Sequence, residues 1–171
     1  MNIEALDKNT HNRNTFDCGE PALNNYLKTT SGQHNRKDLS RTFVLTGCGN
    51  PSQIKGFYSL ALCTVELDEL PKNIAKKYPY AIYCALIGRL AVHKSHQRQG
   101  LGSILLIDAI RKAITSSKLI PTPMIIVDAK NDASKNMYIS LGFEPMPRQP
   151  NRLFMTTLTA MTMLDSIDAE S

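Results

Sequence analysis

Gln97-Arg98-Gln99-Gly100-Leu101-Gly102 is the stretch that decides the fold, and it follows the apolar run Leu86-Ile87-Gly88-Arg89-Leu90-Ala91-Val92. This order predicts a strand, a polar turn with two glycines, and a helix that begins at about Leu101. Several backbone N–H groups of such a turn point to one place, at the positive end of the helix dipole. Gly100 and Gly102 also leave room for a ligand, because they carry no Cβ. The turn is therefore predicted to bind a pyrophosphate, the alternative being an ordinary strand-to-helix connection.

Two common phosphate-binding patterns do not explain this turn. A Walker loop requires Gly-Lys-Ser/Thr, which is missing here. The Gly-x-Gly-x-x-Gly fingerprint of dinucleotide-binding domains fails at Leu105. The bound group therefore has to be identified from the rest of the chain.

Length and composition predict one domain. The chain has 171 residues, of which 42% are hydrophobic, and this is enough for a single sizeable core. We expect that domain to span residues 1–164 and residues 165–171 to form a flexible tail. No apolar run approaches the ~20 residues of a membrane-spanning helix, and the first residues show no signal-peptide pattern. These features predict a cytoplasmic protein without a membrane contact.

The cysteines and histidines indicate neither disulfides nor a metal site. The four cysteines are scattered and form no Cys-x-x-Cys pair, as expected for free thiols in a reducing compartment. His93 and His96 lack a third ligand nearby, so we expect solvated loop residues rather than zinc ligands. The net charge of +5 and the pI of about 9.1 permit an anionic partner but do not identify it.

Hydrophobic periodicity predicts the order helix, hairpin, strand, helix, strand, helix, strand. The first helix starts at Pro21 and ends near Ser31-Gly32, and a later helix is capped by Asn131-Asp132 and followed by Gly142. The predicted strands cover residues 41–46, 54–65, 83–92, 124–127 and 153–158. The order fits a mixed α/β fold, in which a central β-sheet carries helices on both faces.

Two motifs resemble those of the GCN5-related N-acetyltransferases. Gln97-x-x-Gly100-x-Gly102 after the strand is similar to that family's acyl-CoA-binding pattern Gln/Arg-x-x-Gly-x-Gly/Ala. The segment from Asn131 to Glu144 is similar to its Asn-x-x-Ala-x-x-x-Tyr-x-x-x-Gly-Phe pattern. The resemblance covers residues 86–144. It implies acetyl-CoA as the co-substrate and a mixed sheet with a splayed pair of strands at the acyl-CoA site.

The resemblance also implies a role for each residue of the two motifs. The strand would hold the pantetheine arm, the turn would surround the pyrophosphate, and the second motif would contact the cofactor near its amide arm. These residues are, in that order, Leu90, Ala91 and Val92; Gln97, Arg98, Gln99, Gly100, Leu101, Gly102 and Ser103; and Asn131 and Ser134. Tyr138 would protonate the leaving thiolate, since a phenol is a workable acid for it. The alternative for Tyr138 is an ordinary core tyrosine.

A finer resemblance narrows the acceptor. The stretch from Phe16 to Leu27 is similar to the opening of the acetyltransferase toxins of toxin–antitoxin systems, and so are residues 41–44, 88–92, 128–130 and 152–155. Such toxins acetylate the α-amino group of aminoacyl-tRNA and so block translation. The resemblance implies inhibition by a ribbon-helix-helix antitoxin, contact with operator DNA only through that repressor complex, and a homodimer.

Basic residues supply candidates for a tRNA contact. These candidates are Lys28, Arg36, Lys37, Arg41 and Arg89. Each phosphate that they neutralise would make binding more sensitive to salt, whereas the alternative for each is a solvated surface charge.

No carboxylate stands out as a general base, although Glu66 or Asp68 at a strand end could act through water. An α-amine, with a pKa of about 7.7–8.0, needs less help than a lysine, with a pKa of about 10.4. The missing base therefore favours an aminoacyl ester over a protein lysine.

Two other functions stay open on the sequence. One is an acetyltransferase that acts on a small-molecule amine or a protein amine. The other is a non-catalytic regulator that binds DNA only with its antitoxin or senses CoA without turnover.

Overall fold

The computed structural model describes all 171 residues. Its strands are β1 (Asn2–Ala5), β2 (Arg41–Gly47), β3 (Asn50–Val65), β4 (Ile82–Val92), β5 (Met124–Asp128), β6 (Glu144–Pro145) and β7 (Arg152–Thr156). Its α-helices are α1 (Pro21–Asn25), α2 (Ser31–Arg36), α3 (Lys72–Ala75), α4 (Leu101–Ser117), α5 (Asp132–Ser140) and α6 (Thr157–Ala169). The seven strands form one mixed sheet in the order β1-β2-β3-β4-β5-β7-β6, which confirms the predicted mixed α/β class. None of the helices has the length and apolar character needed to span a membrane.

The contacts divide the chain into two compact units. Unit 1 consists of Met1–Ala61 and Gly88–Ala109, and unit 2 consists of Leu62–Ile87 and Ile110–Ser171. The prediction of one domain over residues 1–164 stays a prediction.

Unit 1 is built on the predicted hairpin. Strands β2 and β3 pair in antiparallel fashion from Arg41 opposite Leu60 to Gly47 opposite Asn50, with irregular pairing near the turn. β1 pairs in antiparallel fashion with β2 as an edge strand, and the sequence analysis did not predict this four-residue strand. The buried core of this unit comprises Phe16, Cys18, Tyr26, Leu27, Val44, Ile54, Phe57 and Ala91.

Unit 2 contains the parallel part of the sheet. β4 pairs with β5 through three positions, from Ala85 opposite Ile125 to Ile87 opposite Val127. β7 lies antiparallel to β5, and the two-residue strand β6 lies antiparallel to β7. The buried core of this unit comprises Val65, Leu70, Ile82, Cys84, Met124, Ile126, Met146 and Phe154. Ile82 and Cys84 on β4 and Met124 and Ile126 on β5 belong to the nearly continuous apolar runs that buried parallel strands show.

The first helical segment is longer than predicted. It was expected to end near Ser31-Gly32, but a π-helical turn, Tyr26–Thr30, joins α1 to α2, which continues to Arg36. Ser31 is buried, and its hydroxyl donates to the carbonyl of Leu27 at 2.7 Å, so a residue that usually favours a helix end is accommodated inside. The chain leaves the helix only near Asp38, which has φ 55°.

Helix α6 includes residues 165–169, which the sequence analysis placed in a flexible C-terminal tail; the flexibility itself stays a prediction. The last strand ends at Thr156, two residues early, because the Thr156 side chain accepts a hydrogen bond from the N–H of Thr159 and caps the new helix. Leu164 is buried on α6, and Asp168 forms an ion pair with Arg111 of α4.

We expect Gly56→Ala to destabilise the protein by about 1–3 kcal/mol, because it overpacks a filled position of β3. A Cβ at Gly56 would lie 2.7 Å from Cδ1 of Leu105 and 3.0 Å from the carbonyl oxygen of Ala91. The matched control is Gly49→Ala, since a Cβ there meets nothing within 4 Å. Urea unfolding of both variants tests this, and equal free energies of unfolding would contradict it.

Candidate functional site

The glycine turn joins β4 to α4, in the strand–turn–helix order that the sequence predicts. A short 3-10 turn, Lys94–His96, leads into it, and the backbone then curls through Arg98 at φ 59° and Gly100 at φ 78°. The carbonyl of Gly100 accepts from the N–H of Ile104 at 3.2 Å, so α4 begins here. The N–H groups of the first turn have no acceptor within the helix, and no acidic residue lies among them. This end of α4 therefore suits an anion.

The Gln97 side chain braces this turn. Its Nε2 donates to the carbonyl of Val92 at 2.9 Å and to the carbonyl of Cys18 at 3.0 Å. The sequence assigned Gln97 to phosphate contact, but both donors of this amide group have protein partners. Gln97 thus positions the turn by joining the end of β4 to the segment before α1.

Asp17 and Lys94 form a second brace that the sequence analysis missed. Lys94 Nζ lies 2.7 Å from Asp17 Oδ2, and the Lys94 N–H donates to the Asp17 carbonyl at 2.8 Å. The Asp17 carboxylate also accepts from the N–H of Gly19 and from the amide of Asn24. These hydrogen bonds, that from Lys94 above all, hold the Asp17 pKa well below its usual range. The one signal for this role in the sequence was that Asp17 lies in the stretch from Phe16 to Leu27, which is similar to the opening of the acetyltransferase toxins.

The two histidines beside the turn are joined through Ser95. Ser95 Oγ lies 2.9 Å from Nδ1 of His93 and 3.0 Å from Nδ1 of His96. Nowhere in the structure do three His, Cys, Asp or Glu side chains gather in a cluster that could hold a metal ion.

The strand residues predicted to hold the pantetheine arm lie at the end of β4, beyond its three pairs with β5. Ala91 is buried in the core of unit 1, whereas Leu90 and Val92 are half-buried. β4 continues to Val92 after the last of those pairs, and the splayed pair of strands stays a prediction.

Tyr138 lies on α5 in unit 2 and is 5% exposed. Burial, and secondarily the Asp128 carboxylate, raise the pKa of Tyr138 to about 12. Its ring packs against Phe143 with centroids 5.9 Å apart. The phenol is therefore fully protonated at neutral pH, which is the state that a proton donor needs.

Asn131 and Ser134 cap the helix that carries Tyr138. The Asn131 side chain accepts from the N–H of Ser134 at 2.8 Å, and Ser134 Oγ accepts from the N–H of Asn131 at 3.2 Å. This reciprocal capping box fixes the start of α5. A cofactor contact by these two residues stays a prediction.

The predicted basic residues have different surroundings in unit 1. The Arg89 guanidinium lies over the ring of Tyr26, 4.0 Å from its centroid, a favourable cation–π geometry. Arg41 is instead paired with Asp38 at 2.5 Å. Lys28 lies in the π-helical turn, Arg36 is the last residue of α2, and Lys37 follows it.

The Tyr26 support was not predicted. The Tyr26 hydroxyl lies 3.0 Å from the Ser40 hydroxyl and 3.4 Å from that of Thr42, and its ring is in the buried core. The sequence showed Tyr26 only as one residue of an apolar helix face, because Arg89 lies far along the chain.

Comparisons with known proteins agree with the two motifs. Residues 69–153 match the family FR47-like protein. The chain is 31% identical over 150 residues to the tRNA-acetylating toxin of Mycobacterium tuberculosis (strain ATCC 25618 / H37Rv), which covers 88% of this chain and 89% of that one. A tyrosine-to-phenylalanine mutant of KacT has a TM-score of 0.87 at 31% identity and covers 95% of this chain and 98% of its own. AtaT complexed with acetyl-methionyl-tRNAfMet has a TM-score of 0.86 at 32% identity, and the match covers 95% of this chain and 98% of the AtaT chain.

The same relatives are also known in other complexes. AtaTR bound with acetyl-CoA has a TM-score of 0.80 at 30% identity. An AtaT mutant bound to the C-terminus of the antitoxin AtaR has a TM-score of 0.80 at 28% identity, and the KacTA–DNA complex has one of 0.80 at 27%. Each of these similarities covers at least 95% of both chains.

We expect Gln97→Ala to weaken CoA binding about threefold to tenfold, because two hydrogen bonds of about 0.5–1.5 kcal/mol each are lost and the turn loosens. Gln97→Glu has nearly the same shape but cannot donate, so it should behave like the alanine variant. Calorimetric titration with CoA measures the effect. Parent-like affinity in both variants would show that the brace does not position the turn.

Proposed function

Because this chain belongs to the GCN5-related N-acetyltransferase family and is related to tRNA-acetylating toxins, we propose that it transfers an acetyl group from acetyl-CoA to the α-amino group of aminoacyl-tRNA. N-acetylated aminoacyl-tRNA cannot act as an elongation substrate, so the activity blocks translation. The observation that carries the proposal is the buried, protonated Tyr138 in a chain that also has the glycine turn.

The reaction needs little beyond an acid and an oxyanion site. The neutral amine attacks the thioester carbonyl, and a backbone N–H near Leu90 or Val92 stabilises the resulting oxyanion. The C–S bond then breaks, and Tyr138 gives its proton to the CoA thiolate. The amine loses its extra proton to solvent, and Tyr138 regains a proton from solvent.

No general base is part of this proposal. An α-amine is partly neutral near its pKa of about 7.7–8.0. The two carboxylates considered from the sequence have other partners: Glu66 belongs to a capping box with Glu69, and Asp68 lies 3.7 Å from Arg148.

The proposed acetyl-CoA contacts follow the family pattern. Leu90, Ala91 and Val92 hold the pantetheine arm, and backbone N–H groups from Arg98 to Ser103 bind the pyrophosphate. The acid-free start of α4 supports the second assignment. Gln97 contributes by positioning, as its two hydrogen bonds indicate.

The proposed partners are those of the relatives. KacT and AtaT are known with an antitoxin or DNA, and AtaT with an acetylated aminoacyl-tRNA. We extend to this chain an aminoacyl-tRNA substrate, a ribbon-helix-helix antitoxin, and operator DNA contacted through that antitoxin in a repressor complex. A homodimer in the cytoplasm, where charged tRNA is found, completes the proposal.

We expect Tyr138→Phe to lower kcat by about 10²–10⁴ while leaving the KM for acetyl-CoA nearly unchanged, because only the proton donor is removed. The same type of exchange defines the KacT mutant described above. Transfer of labelled acetyl groups to charged tRNA measures the rate, with deacylated tRNA as the negative control. Parent-like turnover in the variant would remove the acid role, and label that prefers small or protein amines would overturn the substrate.

We expect Tyr26→Leu to raise the KM for aminoacyl-tRNA about threefold to tenfold, because Arg89 loses the aromatic face that holds its guanidinium. Tyr26→Phe keeps the ring and removes only the hydroxyl, so it serves as the matched control. Steady-state kinetics at fixed saturating acetyl-CoA separates KM from kcat. Equal KM values for the two variants would contradict the cation–π role.

A further inference from the structure

Arg13 and Arg36 come together in unit 1 although they are far apart in sequence. Nη1 of Arg36 and Nη1 of Arg13 lie 3.5 and 3.6 Å from the position that a Cβ on Gly32 would occupy. No carboxylate forms an ion pair with either guanidinium. Two like charges therefore share the small area above Gly32 without a counter-charge, and such an arrangement suits an anion.

A polar cavity of about 290 Å³ lies on the loop that carries Arg13. Its lining consists of Lys8, Asn9, Thr10, His11, Asn12, Arg13 and Asn14. The lining contains amides, a hydroxyl and two cations but no carboxylate side chain. These are the groups that proteins use to contact phosphate and sugar oxygens.

Hydrogen bonds to β1, to β3 and within the loop hold the same loop in place. His11 is 4% exposed, and its Nδ1 accepts from the N–H of Asp7 at 2.9 Å while its Nε2 lies 3.1 Å from a Glu4 oxygen. The N–H of Asn12 donates to the carbonyl of Ser52 at 2.8 Å. Binding at this loop therefore costs little ordering entropy.

The carboxylate of Asp7 lies beside Lys8 and is not an ion-pair partner of either arginine. It accepts from the N–H of Asn9 at 2.9 Å and from the Thr10 hydroxyl at 3.1 Å. These hydrogen bonds, and to a smaller extent the charges of His11 and Lys8, lower the Asp7 pKa. Arg41, the other arginine near the end of α2, differs because Asp38 pairs with it.

We propose that Arg13 and Arg36, with the adjoining cavity of residues 8–14, bind a phosphodiester of the tRNA backbone. Guanidinium forks match the two non-bridging oxygens of a phosphate, and the neighbouring asparagines add neutral donors. A contact of this kind orients the nucleic acid without reading its sequence. The proposal rests on the proposed function, since it assigns a contact to the same tRNA substrate.

The test measures binding of deacylated tRNA to the full chain over a range of salt concentrations. We expect Arg13→Gln and Arg36→Gln each to weaken binding about threefold to tenfold and to lower the slope of log K against log salt by about 1. Arg13→Lys should keep the slope, because it keeps the charge. Lys118→Gln is the matched control for the loss of one exposed positive charge, and it should bind like the parent.

Kinetics with aminoacyl-tRNA provides a second readout. The two glutamine variants should raise the KM for tRNA and leave kcat and the acetylation of an amino-acid methyl ester unchanged. Parent-like salt slopes for both variants would overturn the site, and so would a loss seen only with operator DNA in the antitoxin complex. If the parent fails to acetylate charged tRNA but the slopes still fall, the proposed function is wrong and the tRNA site stands.

Discussion

The side-chain amide of Gln97 holds the arrangement on which the rest of unit 1 depends. One nitrogen donates to the last carbonyl of β4 and to a carbonyl in the segment before α1. The ion pair of Asp17 and Lys94 ties the same two segments a second time. This brace determines where the N-terminus of α4 can bind an anion, because the unsatisfied N–H groups of the helix act only over a short distance.

Local chemistry made much of this fold predictable. Pro21 begins the first helix, Asn131 caps α5 and Gly142 follows α5 at positive φ, all as the sequence indicated. Each of these signals depends on a residue and its immediate neighbours. The predictions failed where a local signal was overridden, as for Ser31 inside a continuing helix and Thr156 as the cap of α6.

The site was only partly predictable, because several of its contacts join residues that are distant in sequence. Motif spacing predicted the roles of the glycine turn and Tyr138, but it did not reveal that the Gln97 amide braces the turn. Of the basic residues, the sequence favoured Arg41 and Arg89, which lie inside the resembling stretches, over Arg36. In the structure Arg41 has an acidic partner, Arg89 an aromatic one and Arg36 a second arginine. Such differences arise between residues distant in sequence, so spacing does not reveal them.

The positions of these parts along the chain have a consequence for synthesis. β1 leaves the ribosome before β2 and has no partner until the residues of β2 have followed. The glycine turn is made later, and Tyr138 with its helix is made later still. A nascent chain that has released the proposed pyrophosphate site therefore still lacks the proposed acid. Acetyl transfer to charged tRNA has to wait until α5 has been made and has folded.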